Sequence, residues 1–508
     1  MGYKEILIKL PTDYSDSLIL KKIRQTLRIK DFSYQIEKKS LDARSKRNIH
    51  WQVKISILSN ELKEAPPLAT LSLNIEYKKR KQKVIVVGSG PAGFFSALLL
   101  QKSGFNTTII ERGVEVISRA NGIKDFERTG VFNPVCNYSF GEGGAGTFSD
   151  GKLTSRTKHI AKEKHFILSN YVKAGAPAEI MYMTHPHLGS DNLIKIVKNL
   201  RKEFIESGGN IQFETTLEDI NIKNGKIVNI VTNKGELNAD YFFLATGHSA
   251  YDTYRMLINN GVIFNTKNFA LGYRVEHPQT IINKAQWGVE NLPGVKAAEY
   301  RLTFKSKNSL PVYTFCMCPG GVIVNASAYD NINIVNGMSL YNRNGTFANA
   351  ACVAGVNLNE LLKTEIKALQ ALEWLENLER NFFNHSNGFR APFCSIKDFI
   401  NKRETSSSAK TSYKLGLKPS PLWELLPSSI SNSIGCGLKD FSRKLKGFET
   451  GNIMGLESKT SAPIQAVRDE SRRCQGFDNL FIIGEGSGHS GGIISSGVDG
   501  IKSALTII

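Results

Sequence analysis

Residues 83–113, KVIVVGSGPAGFFSALLLQKSGFNTTIIERG, constrain this chain more than any other segment. A β-branched apolar run over 84–87 stops at Gly88-Ser-Gly-Pro-Ala-Gly93. An apolar helical stretch follows, and a second apolar run over 107–110 ends in Glu111. A GxGxxG turn between a strand and a helix is the device that receives a dinucleotide pyrophosphate. Gly88 permits the tight turn, Gly90 lets the phosphates approach the backbone, and Gly93 lets the helix pack closely. The helix opening at Pro91 and Ala92 would aim unpaired N–H groups and its positive dipole end at those phosphates. Glu111, with Arg112 beside it, stands at the tip of the second strand, where it would accept from ribose hydroxyls.

A chain of 508 residues is too long for one core, and two to four domains are expected. With 41% hydrophobic and 22% charged residues it reads as an ordinary globular protein. No apolar run approaches membrane-spanning length, so no membrane span is expected. The first residues lack the layout of a signal peptide, and the seven cysteines are scattered, which together predict a cytoplasmic protein. Residues 1–83 carry +10 of the net +19. Because those cations are dispersed, a solvated surface is the simpler reading, with an RNA partner as the alternative.

Residues 1–78 predict a small basic α/β domain. It has a strand at 5–10, a helix burying Ile19, Leu20, Ile23 and Leu27, strands at 33–37 and 50–58, and a break at Pro66-Pro67. Residues 79–264 continue the nucleotide-binding fold through a helix at 192–207 and a β-meander to Ala245-Thr-Gly247. Residues 265–450 form an inserted substrate or cap domain, with strands near 269–276, 298–304, 312–317 and 322–326. One long helix at 358–383 follows, and 384–448 are loop-rich. Residues 451–508 return to the first sheet through a strand at 479–484 and a terminal helix. The expected fold class is therefore α/β: a discontinuous Rossmann-type FAD-binding domain, an inserted β-rich α+β cap, and a small N-terminal α/β domain.

Several glycine-bearing loops together decide which dinucleotide is bound. A late strand ending in Gly484-Glu485, then a glycine-rich turn into a helix, is a flavoprotein device. The carboxylate would accept from a ribityl hydroxyl. The N–H groups of Gly491, Gly492 and Ile493 would face the flavin edge that gains negative charge on reduction. Gly247 and the loop over 141–152, with Gly144, Thr147 and Lys152, would wrap the same cofactor. FAD is the expected cofactor. No second GxGxxG module follows, so NAD(P)H would bind only transiently.

The layout resembles the glutathione-reductase-type FAD superfamily. More narrowly it resembles a bacterial FAD-dependent dehydrogenase family with an N-terminal appendage. The segments that carry this are SLDAR (40–44), FGEGGAGTFSDGKL (140–153), GHS (247–249), GYRVEHP (272–278), FCMCPGG (315–321), NGMS (336–339), ESKTSAP (457–463) and GEGSGHSGGI (484–493). The resemblance implies an FAD-bound oxidoreductase whose reaction is unassigned. At one place the chain departs from the family pattern: His489-Ser490 stands where Tyr-Ala is expected.

For catalysis the candidates are Arg274, which could bind a substrate carboxylate, and His277 and His489, which could move a proton. Lys152, in the flavin loop, is the fourth. An interdomain ion-pair network is an equally good account of Arg274 and His277. Cys316 and Cys318 would point to one face of a strand. A thiol pair there could relay electrons or serve as buried packing, and no second Cys or His pair completes a tetrahedral metal site. The function read from the chain is an FAD-dependent oxidoreductase acting on a small molecule, exchanging a hydride at flavin N5.

Overall fold

The structure, a computed structural model, describes residues 2–63, 71–405 and 408–508. The expected break at Pro66-Pro67 lies outside the described residues. The N-terminal unit is a three-stranded antiparallel sheet, with Gly2–Leu10 and Ser33–Asp42 flanking His50–Ser59. Alternate residues Val53, Ile55 and Ile57 face the helix Asp16–Leu27, whose Ile19 and Ile23 are fully buried against them.

The nucleotide-binding sheet has five parallel strands in the order Leu480–Ile482, Tyr241–Leu244, Lys83–Val87, Asn106–Ile110, Asn210–Gln212. The third, central strand reads as a continuous apolar run because both of its faces are covered. On one face lies the helix Pro91–Lys102, with every residue from Ala92 to Leu100 buried. The terminal helix Ile493–Ala504 packs so closely on it that a Cβ at Gly500 would lie 2.2 Å from the Ala92 carbonyl oxygen. The C-terminal segment thus rejoins the first sheet and brings Gly484 beside Ala92. An antiparallel meander, Leu217–Lys223, Lys226–Thr232 and Gly235–Asn238, forms a separate three-stranded sheet.

The inserted region is built on a seven-stranded sheet. Its order is Thr303–Ser306, Ser309–Cys318, Phe347–Val356, Phe269–Pro278, Asn452–Glu457, Ala391–Ser395, Leu417–Pro419. A two-stranded ribbon, Gly321–Asn325 with Val335–Ser339, stands beside it. The strand Asn452–Glu457 comes from beyond residue 450, so this sheet extends past the expected boundary.

Two expectations for this region need correction. The long helix expected at 358–383 is two helices, Leu358–Leu362 and Ala368–Ser386. Lys363 turns left-handed at φ 55° and ends the first, and the Ile366 N–H is received by the Asn359 side chain instead of a helix carbonyl. The loop-rich stretch at 384–448 contains a 17-residue helix, Ser428–Lys444. Its Ile430, Ile434, Leu438 and Phe441 are fully buried at 4-4-3 spacing, a periodicity visible in the sequence but obscured by the prolines before it.

Candidate functional site

The first loop has the mechanics its glycines require. Gly88 sits at φ 100°, and its N–H donates to the Ile110 carbonyl at 2.7 Å. A Cβ on Gly93 would fall 1.9 Å from the Gly88 carbonyl oxygen, so the turn and helix can meet only without one. Gly90 is the N-cap of a helix with Pro91 at its first position and no side-chain cap, leaving the leading N–H groups free for a ligand.

Glu111 is buried at the end of the second strand. Its carboxylate receives Ser89 N–H and Oγ–H at 2.9 and 2.8 Å, and Gly113 and Gly141 N–H at 3.0 and 3.1 Å. This one side chain ties the first loop to the 141–147 loop. Arg112 forms a two-pronged pair with Asp252, at 3.1 and 2.8 Å, and lies over the Phe140 ring.

Four loops converge at this end of the sheet. A Cβ on Gly144 would lie 3.0 Å from Gly90 Cα, one on Gly146 would lie 3.1 Å from the Ile493 side chain, and one on Gly486 would lie 3.0 Å from the Gly247 carbonyl oxygen. Glu485 receives the Gly492 N–H, and its Oε2 lies 2.9 Å from His248 Nδ1. Burial opposes the charge of Glu485, but the His248 hydrogen bond and the Gly492 N–H hold its pKa below the usual carboxylate value. The Gly484 N–H donates to Asp499, which is itself paired with Arg468 and Arg472.

Two observations suit this convergence to a large flat ligand with phosphates. Gly247, Gly491 and Gly492 back onto open space, and Gly492 opens the terminal helix with no side-chain cap. Thr147 Oγ1 is buried without a hydrogen-bond partner, which is costly unless a ligand supplies one. The residues therefore fit a dinucleotide, with Gly88–Gly93 able to receive its pyrophosphate and Gly144, Thr147 and Ile493 able to border its ring.

The catalytic candidates do not assemble as one group. Lys152 Nζ pairs with Asp150 at 2.9 Å and reaches the Met317 carbonyl of the inserted sheet. Asp150 also takes a two-pronged bond from Arg343, at 3.0 and 2.6 Å. Burial is the largest influence and favours neutral Lys152, but Asp150 together with Cys318 and Cys316 raises its pKa. Arg274 is fully buried. It pairs with Glu457 at 2.6 Å, donates to Asn349 and Asn336, and donates to the Cys316 carbonyl at 2.7 Å. Lys152 and Arg274 thus meet at the Cys316–Cys318 segment.

His277, three residues further along the same strand, is buried elsewhere, with Nε2 at 2.7 Å from the Phe448 carbonyl. Burial pushes its pKa down to about 4. His489 is tied to the short strand Ile464–Ala466, which pairs with Phe264–Thr266, with Nε2 2.9 Å from the Ala466 carbonyl. Sequence reasoning did not find Arg343 or Asp150's role in joining the two regions. Nothing in the spacing of residues 193 apart along the chain signals that pair.

These loops and their helix termini define an FAD-dependent protein. Residues 81–127 match the family described as FAD binding domain, 268–460 match FAD-dependent protein, C-terminal domain-like, and 3–58 match a domain of unknown function. An uncharacterised protein of Clostridium beijerinckii is 37% identical over 525 aligned positions, covering 99% of this chain and 97% of that one. The chain belongs to the same family of FAD-dependent proteins as that relative, and its cofactor is FAD.

Among solved structures, CtdE in complex with FAD aligns at 11% identity with a TM-score of 0.35, over 84% of each chain. A geranylgeranyl bacteriochlorophyll reductase-like protein from Thermoplasma acidophilum aligns at 13% identity with a TM-score of 0.36, over 84% of this chain and 77% of that one. Likenesses of this degree carry no functional argument.

Proposed function

We propose that the protein is an FAD-dependent oxidoreductase of the glutathione-reductase-type lineage, working as a dehydrogenase or reductase on a small molecule held between the inserted sheet and the cofactor. The observation that supports this most is the convergence of the loops at Gly90, Gly144, Gly247 and Gly486, where Gly247 and Gly492 back onto open space. Bound FAD would supply a two-electron donor and acceptor centre at its N5.

The chain's own groups would do the rest. The uncapped start of Pro91–Lys102 would hold the pyrophosphate, and Glu111 would fix the turn beneath the ribose. The Ile493 N–H, at the positive end of a helix, would favour negative charge arriving at the flavin edge, whereas the Gly491 and Gly492 N–H groups are held by Ser495 and Glu485. Lys152, kept charged by Asp150, would attract an anionic substrate to the boundary of the two regions. His277 is enclosed away from this boundary, so a proton-moving role falls better to His248, whose Nδ1 is fixed by Glu485.

Anaerobic mixing with NADH and with NADPH tests this reading. Loss of the oxidised-flavin absorbance within the first turnover would identify a nicotinamide donor bound transiently. Purified protein that neither carries nor takes up flavin would overturn it. The RNA alternative has no support in the matched families. Within the basic domain Lys39 is already spent internally, over the Tyr14 and Trp51 rings at 4.9 and 4.5 Å.

A further inference from the structure

The strand Ser309–Cys318 pairs regularly with Phe347–Val356 as far as Phe315 opposite Ala351, and pairing resumes at Cys318 opposite Asn349. Two residues, Cys316 and Met317, therefore oppose one, which is a β-bulge. Cys316 takes the left-handed conformation at φ 45°. For a residue with a Cβ this is strained, and such strain persists where the surroundings enforce it.

The bulge changes what a Cys-x-Cys spacing can do. The Cys318 thiol donates to the Cys316 carbonyl oxygen at 3.3 Å. Cations stand on both sides. Arg274 Nη2 is 3.6 Å from Cys318 Sγ, and Lys152 reaches the Met317 carbonyl between the two thiols. Cys316 is half-buried, whereas Cys318 is enclosed.

The other buried cysteines make the contrast. Burial pushes the Cys352, Cys394 and Cys474 thiols up to about 12. Cys316 goes the other way: its neighbour Cys318 lowers it most, burial opposes, and Lys152 and Arg274 lower it further. Asp150 pulls against them, and Arg343 and Glu457 are the other charges at the site. A thiolate that is accessible, cation-flanked and backed by a second thiol is an attacking nucleophile with its resolving partner in place.

We propose that Cys316 and Cys318 form a thiol–disulfide exchange site acting on a low-molecular-weight disulfide, with Cys316 attacking and Cys318 resolving. In the first step Cys316 S⁻ bonds to one sulfur of RS–SR and releases RS⁻. In the second, the Cys318 thiol gives its proton to RS⁻ and its sulfur displaces the second RS⁻ from Cys316. That second RS⁻ takes up a solvent proton. Two cysteine sulfurs are oxidised to one disulfide, and RS–SR is reduced to two RSH. The ring so closed is small and strained, and strained disulfides are the readily reduced, exchanging kind. The step needs no cofactor, so its failure leaves the flavin reading untouched.

The test uses the full-length reduced protein with glutathione disulfide, followed by peptide mass mapping. The peptide spanning 315–321 should lose two hydrogens with no glutathione attached, and Cys318→Ser should trap glutathione on Cys316. The rate should rise through a midpoint below the usual thiol range. Lys152→Gln should move that midpoint up by about one pH unit. Exposed Cys436 is the internal reference. If Cys436 takes glutathione while the 315–321 peptide of the wild-type protein stays reduced, the proposal is overturned.

Discussion

At the carboxyl ends of the parallel strands, the groups left open are backbone: Gly90, Gly247, Gly491 and Gly492 have little or nothing packed where a side chain would begin. On and beside the inserted sheet the corresponding groups are charged side chains already satisfied by partners, Arg274 by Glu457 within the sheet and Arg343 by Asp150 of the 141–152 loop. A backbone site needs residues that keep out of the way, so it is written as glycines at fixed offsets. A side-chain site needs partners brought from distant parts of the chain, so it is written nowhere in particular. The two regions should respond differently to substitution.

The largest expected effect is in the backbone site. In Gly93→Val the new side chain would begin 1.9 Å from a carbonyl oxygen, and no rotamer relieves a clash with main chain. We expect a loss above about 5 kcal/mol, at the exceptional end for one substitution, with flavin absent from the purified protein. Gly247→Ala is the control, because a Cβ there meets nothing within 4 Å although φ is 71°. It should keep its fold. A Gly93→Val protein that retains flavin would break the comparison at its base.

Next comes the side-chain region. Arg274→Met leaves Glu457 buried without its partner and should cost about 3–5 kcal/mol in denaturant unfolding. Adding Glu457→Leu should recover most of that loss, because the uncompensated charge is the penalty. If Arg274→Met is as stable as wild type yet inactive, Arg274 serves the substrate and the inserted sheet is less self-contained than its hydrogen bonds imply.

The sequence made the parallel sheet legible down to individual positions, since Gly88–Gly93, Glu111 and Gly484–Ile493 each act through a local rule. The strands of the inserted sheet were also legible as apolar runs, but their order was not. Asn452–Glu457 enters the sheet beside Phe269–Pro278 across more than 170 residues, and no local rule carries that pairing. The helix Ser428–Lys444 had the right period and was hidden by Pro419, Pro421 and Pro427, which mark a start more than a break. Cys316 is the sharpest case: alternation places both thiols on one face, while the bulge that gives them their surroundings comes from a register shift no single strand reveals.

A smaller effect separates the regions by pH. His277 lies in the inserted sheet with its pKa lowered from 6.5 to about 4 by burial, so the folded protein binds fewer protons than the unfolded chain between those values. Its contribution is complete above pH 6.5 and is lost as pH falls towards 4, to a limit of about 3 kcal/mol. His187, also buried and lowered to about 4, adds in the same direction. Thermal unfolding between pH 7 and pH 4 should show this slope, and His277→Gln should flatten it. A slope unchanged in that variant would assign the acid sensitivity to other groups.

The smallest effect tests the cofactor loop itself. Thr147 Oγ1 is buried with no partner, and leaving a hydroxyl so placed costs about 1–3 kcal/mol. Thr147→Val keeps the shape and removes the hydroxyl, so flavin-free protein should melt at the same temperature or higher. If the hydroxyl is there for the cofactor, the same change removes a hydrogen bond of about 0.5–1.5 kcal/mol, and FAD should bind roughly two- to tenfold more weakly by fluorescence titration. The two readouts move in opposite directions only if the unpaired oxygen faces the ligand. A stabilised protein with unchanged FAD affinity would make Thr147 a packing residue and leave recognition at this loop to the backbone of Gly144 alone.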